Sequence, residues 1–394
     1  MVRKITLFSS VLALALLLAV TGGSTVFAQK FSAVPVDIEL PIAPTPINAN
    51  GKIHLIYELH LTNYKSAELK LTRIEIFGDV RNAAPLASYE DSELTSRISR
   101  IGAAADTRDK RIIGGGMLAV VFLQITVNSQ VDVPGTLHHR LFFRPQPTDT
   151  TADEKVVDSG YVTVLRKAPL VIAPPLRGEG WIALSALSNT NSHRRTLVVV
   201  NGQARIAQRF ATDWTRIGPD GQAFRGDAAI NSNWSPYGAE VLAVADAVVV
   251  DTHDGVPEND PTSDKKAVLI TLDTVGGNYI ILDLGHGYFA FYAHLQPKSL
   301  RFKIGDKVRR GQTLALLGNS GQADAPHLHF HVTDGNSPLG AEDVPYVFES
   351  FVMQGILSSK GLLVNGEGWK SAAGVKIDRR RMEVPIENAV VSFP

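Results

Sequence analysis

The stretch APHLHFHV places three of the chain's 11 histidines on alternate residues. Successive side chains of a β-strand point to opposite faces, so His327, His329 and His331 would share one face of a strand. Imidazoles are the side chains best suited to metal ligation and to proton transfer near neutral pH. The spacing therefore predicts a functional histidine face. The structural alternative is a polar, solvated face on an edge strand.

Strand-like segments precede this stretch. The runs GAEVLAVADAVVV (238–250) and GGNYIILDLGHGYFAFYAHL (276–295) indicate strand pairs around tight turns, and FKIGDKVRRGQTLALLGNSG (302–321) follows them. The Gly-Asp-x-Val-x-x-Gly-Gln-x-Leu pattern in the last run also occurs in biotinyl and lipoyl carrier domains. A carrier needs a modifiable lysine at a hairpin tip, and no such motif is present. The pattern therefore predicts a sandwich-hybrid fold rather than a carrier.

Together, the runs 276–295 and 305–332 resemble the lysostaphin/LytM-type zinc metallopeptidases, which cut peptide bonds in bacterial peptidoglycan. The resemblance extends from about Gln208 to His331, a little under a third of the chain. It implies a β-sheet-core metallopeptidase domain of the duplicated hybrid motif type.

The resemblance also implies individual roles. Asp213, in QRFATDW, and His329, in the closing strand, match two zinc ligands, while His294, in YAHL, and His327 match the two catalytic histidines. Zinc held by His and Asp with an open position polarises a scissile carbonyl and brings the pKa of its water to about 7. One imidazole can take the proton of that water and the other can stabilise the oxyanion. His331 stands where relatives often carry a glutamate, and we interpret it as a neighbour of the ligands or a surface residue.

One position departs from the family pattern. The family's other ligand histidine stands four residues before the aspartate, where this chain has Arg209. A guanidinium stays protonated and has no lone pair for zinc. Either the metal site is degenerate or another side chain takes the place of that ligand.

His193 is the candidate for the missing ligand. It lies in SHRRTLVVVNGQARIAQRFATDW, where Asn201-Gly202 is a strong hairpin signal. A two-residue loop would place His193 opposite Phe210, on the wrong face. A three-residue loop with a bulge would place it opposite Ala211, on the face of Asp213. We expect the three-residue register if His193 is the third ligand; otherwise it is a surface histidine.

The remaining histidines carry weaker signals. His253, with Asp254 and Glu258 in THDGVPEND, is a further candidate on a loop that shapes the groove, and His286 fits a turn. Four histidines in the first half of the chain have no carboxylate or cysteine at ligand spacing. We therefore expect them to be surface or hydrogen-bonded residues: His54, His60, His138 and His139.

The first half of the chain indicates a separate all-β domain. KIHLIYELHLTN alternates apolar and polar residues, and further short strands follow at regular spacing, which predicts an immunoglobulin-like β-sandwich. RKAPLVIAPPLRGEG has the prolines and glycines of a linker. The predicted organisation is a signal peptide, a β-sandwich accessory domain, a linker, a lysostaphin-type peptidase domain and a C-terminal extension, over 1–28, 29–165, 166–180, 181–351 and 352–394.

The N-terminal residues indicate export. MVRKITLFSSVLALALLLAVTGGSTVFAQK combines a basic start, an apolar run and a small-x-Ala pattern, so cleavage after Ala28 is expected, with no stable transmembrane anchor left. A retained membrane anchor is the alternative. The sequence contains no cysteine, which excludes disulfides and lipidation at a lipobox. Equal numbers of basic and acidic residues, 39 each, give no electrostatic reason to expect a nucleic-acid partner.

Two functions follow from these observations. The first is an exported zinc metallopeptidase, in the periplasm or cell envelope or outside the cell, that hydrolyses peptide bonds of peptidoglycan crosslinks. The second is a zinc-free, degenerate peptidase fold that binds cell-wall peptide or activates another hydrolase as an envelope protein partner. The joint presence of Asp213, His294, His327 and His329 favours the first, and Arg209 favours the second. A purely structural envelope protein would leave these histidines unexplained.

Overall fold

The computed structural model describes residues 34–79, 84–102, 108–146, 153–358, 363, 368–370 and 378–394. The predicted signal peptide lies outside the described residues. Residues Val34–Pro394 form one compact unit, which includes both the first and the second half of the chain.

Over its described residues, the first half folds into ten strands and one short α-helix. In chain order these are β1 (Val36–Glu39), β2 (Ile47–Ala49), β3 (Lys52–Asn63), β4 (Leu69–Phe77), β5 (Ala87–Glu90), α1 (Asp91–Ser96), β6 (Ile98–Ile101), β7 (Ile112–Ile113), β8 (Leu118–Val127), β9 (Thr136–Pro145) and β10 (Lys155–Thr163).

These strands form a β-sandwich of two antiparallel sheets. One sheet has the order β1-β3-β8-β6 with β2 on β3, and the other has the order β10-β9-β4-β5 with β7 on β4. The predicted apolar face of β3 is buried in the core between the sheets, with Tyr57 and Leu59 fully inaccessible. The alternation of the sequence is thus confirmed, while the immunoglobulin-like type remains a prediction.

Over its described residues, the second half folds into sixteen strands and one short α-helix. They are β11 (Leu170–Ile172), β12 (Gly178–Leu184), α2 (Ser192–Arg195), β13 (Val198–Val200), β14 (Gln203–Arg205), β15 (Thr212–Arg216), β16 (Glu240–Leu242), β17 (Ala247–His253), β18 (Asn278–Gly285), β19 (Tyr288–Leu295), β20 (Lys307–Val308), β21 (Thr313–Leu316), β22 (Leu328–Thr333), β23 (Tyr346–Phe348), β24 (Phe351–Ile356), β25 (Asp378–Arg380) and β26 (Ala389–Phe393).

A ten-stranded sheet organises this half, with the order β20-β17-β18-β19-β22-β15-β12-β26-β24-β25. The segment 352–394, predicted as an extension, supplies β25, β26 and nearly all of β24 to this sheet. The predicted linker contains β11, which pairs in parallel with β23. The all-β fold class is confirmed.

Within the described part of the chain, no helix has the length and apolar character needed to cross a bilayer.

Candidate metal centre

Asp213 and His329 lie opposite each other on neighbouring strands at the middle of the sheet. The antiparallel pairing of β15 with β22 places the two residues in direct register. Trp214 and Phe330, the next residue on each strand, are fully buried in the core. Because side chains alternate along a strand, Asp213 and His329 project from the other face of the sheet. There the Asp213 Oδ1 atom lies 2.9 Å from Nδ1 of His329.

His193 reaches the same carboxylate from a different element. Its Nε2 atom is 3.4 Å from Oδ2 of Asp213, and its ring stands edge-on to that of His329, with 4.8 Å between the centroids. His193 belongs to the four-residue helix α2, which Asn191 caps by accepting a hydrogen bond of 2.8 Å from the His193 backbone N–H.

The hairpin register predicted for His193 is wrong. Val200 pairs with Gln203, so the loop has two residues, and both Asn201 and Gly202 adopt positive φ, as a type I′ turn requires. The pairing covers only β13 and β14, and α2 precedes it. His193 therefore reaches Asp213 from a capped helix rather than from a strand facing Ala211. The sequence feature that indicates the start of this helix is Asn191, because asparagine is a preferred N-cap residue.

The donor atoms of His193, Asp213 and His329 all lie within 4.8 Å of one another. Two imidazole nitrogens and one carboxylate oxygen form a donor set that zinc accepts readily. Burial lowers the pKa of His193 to about 4, which keeps its ring neutral and able to ligate. Burial alone would raise the pKa of Asp213, but His193 and His327 hold that pKa well below its usual range. The residues therefore fit a zinc ion.

The two predicted catalytic histidines lie beside this cluster. The rings of His294 and His327 are 4.7 Å apart between centroids, and Nε2 of His327 is 3.5 Å from Oδ1 of Asp213. The Nδ1–H of His294 donates to the Ser320 carbonyl, and that of His327 donates to the Ala325 carbonyl, each over 2.8 Å. A carbonyl only accepts, so each ring keeps Nε2 free of its proton in the neutral form.

Their surroundings move the two pKa values apart. Burial, with His327 and His329 nearby, lowers the pKa of His294 well below its usual value. Burial would also lower the pKa of His327, but the charge of Asp213 and a hydrogen bond to it raise that pKa. His294 further adopts φ of 63°, a conformation that L-residues avoid and that is often found at functional sites.

A groove of about 400 Å³ opens over these side chains. His193, Asp213, His294 and His327 line it, and Trp234 adds an aromatic surface that no sequence motif predicted. The groove thus offers space for a peptide next to the metal ligands and the two histidines.

His331 is buried rather than on the surface. Its Nδ1 atom lies 2.8 Å from Nε2 of His329. The contact fixes the orientation of the His329 ring, as outer partners of metal-bound histidines commonly do. The three alternating histidines therefore share one side of the sheet, as their spacing predicted.

Arg209 does not project into the cluster. Its guanidinium is buried and binds Glu58 of the sandwich at 3.0 Å and Glu342 at 2.9 Å. The position that lacks the family's histidine is thus occupied by a residue with ion-pair partners elsewhere.

The other predicted candidates have ordinary environments. The His253 ring packs against Tyr279, while Glu258 accepts hydrogen bonds from the Tyr237 hydroxyl and the Asn319 backbone. His286 occupies a turn with positive φ. None of these side chains lines the groove described above.

Part of the second half matches a known protein family. Residues 233–340 match the model of Peptidase family M23, which confirms the resemblance to the lysostaphin/LytM-type peptidases for this part of the chain. The matched segment includes His294, His327 and His329, whereas His193 and Asp213 precede it.

Curated relatives agree with this assignment. Peptidoglycan DD-endopeptidase ShyB of Vibrio cholerae is 36% identical over 80 residues, which are 20% of this chain and 18% of that protein. Peptidoglycan DD-endopeptidase ShyA of the same organism is 32% identical over 115 residues, 28% of this chain and 26% of that protein. The chain therefore spans only about a fifth to a quarter of the length of these relatives.

Solved structures of two peptidases are similar to parts of the chain. The catalytic domain of lysostaphin from Staphylococcus simulans has 22% identity and a TM-score of 0.23, covering 37% of this chain and 80% of that one. A zinc-containing peptidase from Vibrio cholerae has 15% identity and a TM-score of 0.24, covering 78% and 83%.

Proposed function

We propose that this protein is an exported zinc metalloendopeptidase that hydrolyses peptide bonds of peptidoglycan crosslinks. The observation that carries the proposal is the convergence of His193, Asp213 and His329 beside a groove that His294 and His327 also line. The substrate class is supported by the relatives named peptidoglycan DD-endopeptidases.

His193, Asp213 and His329 would hold the zinc ion, which when bound polarises a carbonyl and acidifies water. The chain itself supplies the proton transfers. His294, whose pKa is low, stays neutral and accepts the proton of the attacking water at Nε2. His327, whose pKa Asp213 raises, holds a proton that it can donate to the developing oxyanion or to the leaving amine.

The alternative function, a zinc-free protein that binds cell-wall peptide or activates another hydrolase, was motivated by Arg209. Arg209 binds Glu58 and Glu342 instead of facing the cluster, and His193 offers a third donor beside Asp213 and His329, which supports the enzyme. The enzyme is therefore the better-supported proposal.

Zinc content of the purified mature protein tests the proposal. We expect about one zinc per chain in the wild type and its loss in Asp213→Ala and in His193→Ala, because each variant removes one ligand of a three-residue set. If Asp213→Ala loses zinc and His193→Ala retains it, His193 is not a ligand. A wild-type protein that binds no added zinc would support the alternative function.

Digestion of purified peptidoglycan tests the activity. We expect the wild type to release soluble fragments with newly exposed amino groups, a chelator to stop the reaction and added zinc to restore it. Edman sequencing of the exported protein checks the location, and an N-terminus at residue 29 is the expected result.

A further inference from the structure

We propose that the N-terminal sandwich completes the metal centre, with Glu58 and Arg194 acting as positioning residues for the ligand His193. This inference rests on the proposed function, because it concerns the same zinc site. The observation behind it is that α2 contacts two domains at once. His193 faces the groove, and the next residue, Arg194, is inserted into the sandwich.

Arg194 is held entirely by groups of the sandwich. Its side chain is 1% exposed, and its Nη2 donates to the backbone carbonyls of Leu123, at 2.7 Å, and Tyr57, at 3.1 Å. Those two residues are directly paired across β3 and β8, so one guanidinium nitrogen bridges the two strands. Its Nε donates to Oε1 of Glu58 over 3.3 Å.

Glu58 receives a second arginine from the same half of the chain as α2. Arg209 Nε lies 3.1 Å from Oε2 of Glu58, and both side chains are almost inaccessible. Burial would raise the pKa of Glu58, but Arg209 and Arg194 lower it, so the carboxylate stays charged. One buried carboxylate of the sandwich thus fixes two cations of the peptidase half.

The neighbouring residue adds a further attachment. Arg195 donates to the Ser96 carbonyl of the sandwich over 2.7 Å, and its guanidinium lies 4.6 Å from the ring centroid of Phe122. Asn189, just before the helix, donates to the Phe122 carbonyl over 3.0 Å. The segment that carries His193 is therefore attached to strand β8 on both sides of the ligand.

These contacts matter because α2 cannot hold a ligand alone. A helix of four residues is far below the length that is stable without tertiary contacts. Asp213 and His329, by contrast, are paired directly with each other within the ten-stranded sheet. Metal ligands must be held to a fraction of an ångström by their surroundings. Loosening the Glu58 contact should therefore displace one ligand and leave the other two in place.

The test uses the full chain with Glu58→Gln, which removes the charge but keeps the shape. Glu342→Gln is the matched control, since Glu342 is a buried partner of Arg209 that does not contact Arg194. Zinc affinity is measured by chelator competition on variants that retain the wild-type circular dichroism spectrum. We expect Glu58→Gln to weaken zinc about 10- to 100-fold, the range typical of outer partners of metal ligands, and Glu342→Gln to change it less than about threefold.

The absorption spectrum of the Co²⁺-loaded protein separates positioning from general destabilisation. We expect the visible bands of Glu58→Gln to shift towards those of His193→Ala, and those of Glu342→Gln to match the wild type. Arg194→Lys, which keeps the charge but lacks the forked donor, should act like Glu58→Gln and replaces it if that variant does not fold.

Three results would overturn the inference. Unchanged zinc affinity and cobalt spectrum in folded Glu58→Gln or Arg194→Lys would show that His193 needs no support from the sandwich. Equal weakening by Glu342→Gln would indicate a nonspecific loss of stability. A wild type that binds neither metal would remove the proposed function along with the inference, and this result is distinct from the first two.

Discussion

His139 in the sandwich and His329 in the ten-stranded sheet are both buried, and both ring nitrogens of each have a hydrogen-bond partner. The partners differ. His139 is bound by the Gly160 carbonyl and the Tyr57 hydroxyl, both at 2.8 Å. His329 is bound by the Asp213 carboxylate and by His331. Burial with two hydrogen bonds therefore does not identify a functional histidine. A functional histidine is identified instead by its neighbours: several histidines contact the carboxylate of Asp213 beside a groove.

The largest expected effect concerns the histidines beside the ligands. His294→Gln and His327→Gln should each lower kcat for peptidoglycan cleavage about 10³-fold, because each removes one proton-transfer group. The zinc content should stay near the wild-type value, since neither residue is one of the three proposed ligands. Parallel measurements of kcat and bound zinc check this.

His139→Gln is the control from the sandwich, and its kcat should equal that of the wild type. A comparable loss in this control would mean that burial, rather than position beside the carboxylate, determines which histidines matter.

The next effect is on the pH dependence of stability, and it concerns His139. Burial lowers the pKa of His139 to about 4, against about 6.5 in the unfolded chain. Between these values the unfolded chain binds more protons. The contribution of His139 is therefore complete above pH 6.5 and falls as the pH drops towards 4, by about 3 kcal/mol in total.

Urea unfolding of the wild type and His139→Gln between pH 7 and pH 4 measures this contribution. The difference in unfolding free energy between the two proteins should shrink as the pH falls, because Gln does not titrate. A difference that stays constant over this range would contradict the assignment of a neutral, buried His139.

The smallest effect concerns His331, which lies behind a ligand. His331→Leu removes the partner of Nε2 of His329 and should weaken zinc binding about 10-fold, at the lower end of the range for such contacts. His331→Gln can still hydrogen-bond and should recover most of the affinity. Chelator competition measures both variants, and equal affinities for Leu and Gln would show that the contact does not orient His329.

The sequence predicted those parts of the site that depend on local periodicity. The alternation of His327, His329 and His331 was sufficient to place them on one side of the sheet. The family resemblance was sufficient to select Asp213 and His294. These residues lie within strands or next to them, where a two-residue period determines the direction of a side chain.

The position of His193 was inferred from the wrong geometry. His193 lies next to Asp213 because the hairpin has a two-residue turn and because the preceding residues form a short capped helix. The sequence could not predict this arrangement, since it depends on what α2 packs against. The partners of Arg209 are even less local, because Glu58 and Glu342 are 151 and 133 residues away. Sequence periodicity carries no information on such distant ion pairs. The sequence alone therefore could not test whether Arg209 indicates a degenerate metal site.

The order of strands in the ten-stranded sheet also affects how the protein folds. Strand β12, which pairs with the Asp213 strand β15, has as its other neighbour β26, formed by residues 389–393. The pairing of β12 with β26 therefore cannot form until residues 389–393 have been synthesised. Pairings between segments so far apart in the chain slow folding. The edge of the sheet next to the Asp213 strand is therefore expected to form late in folding, after local pairings such as that of β18 with β19.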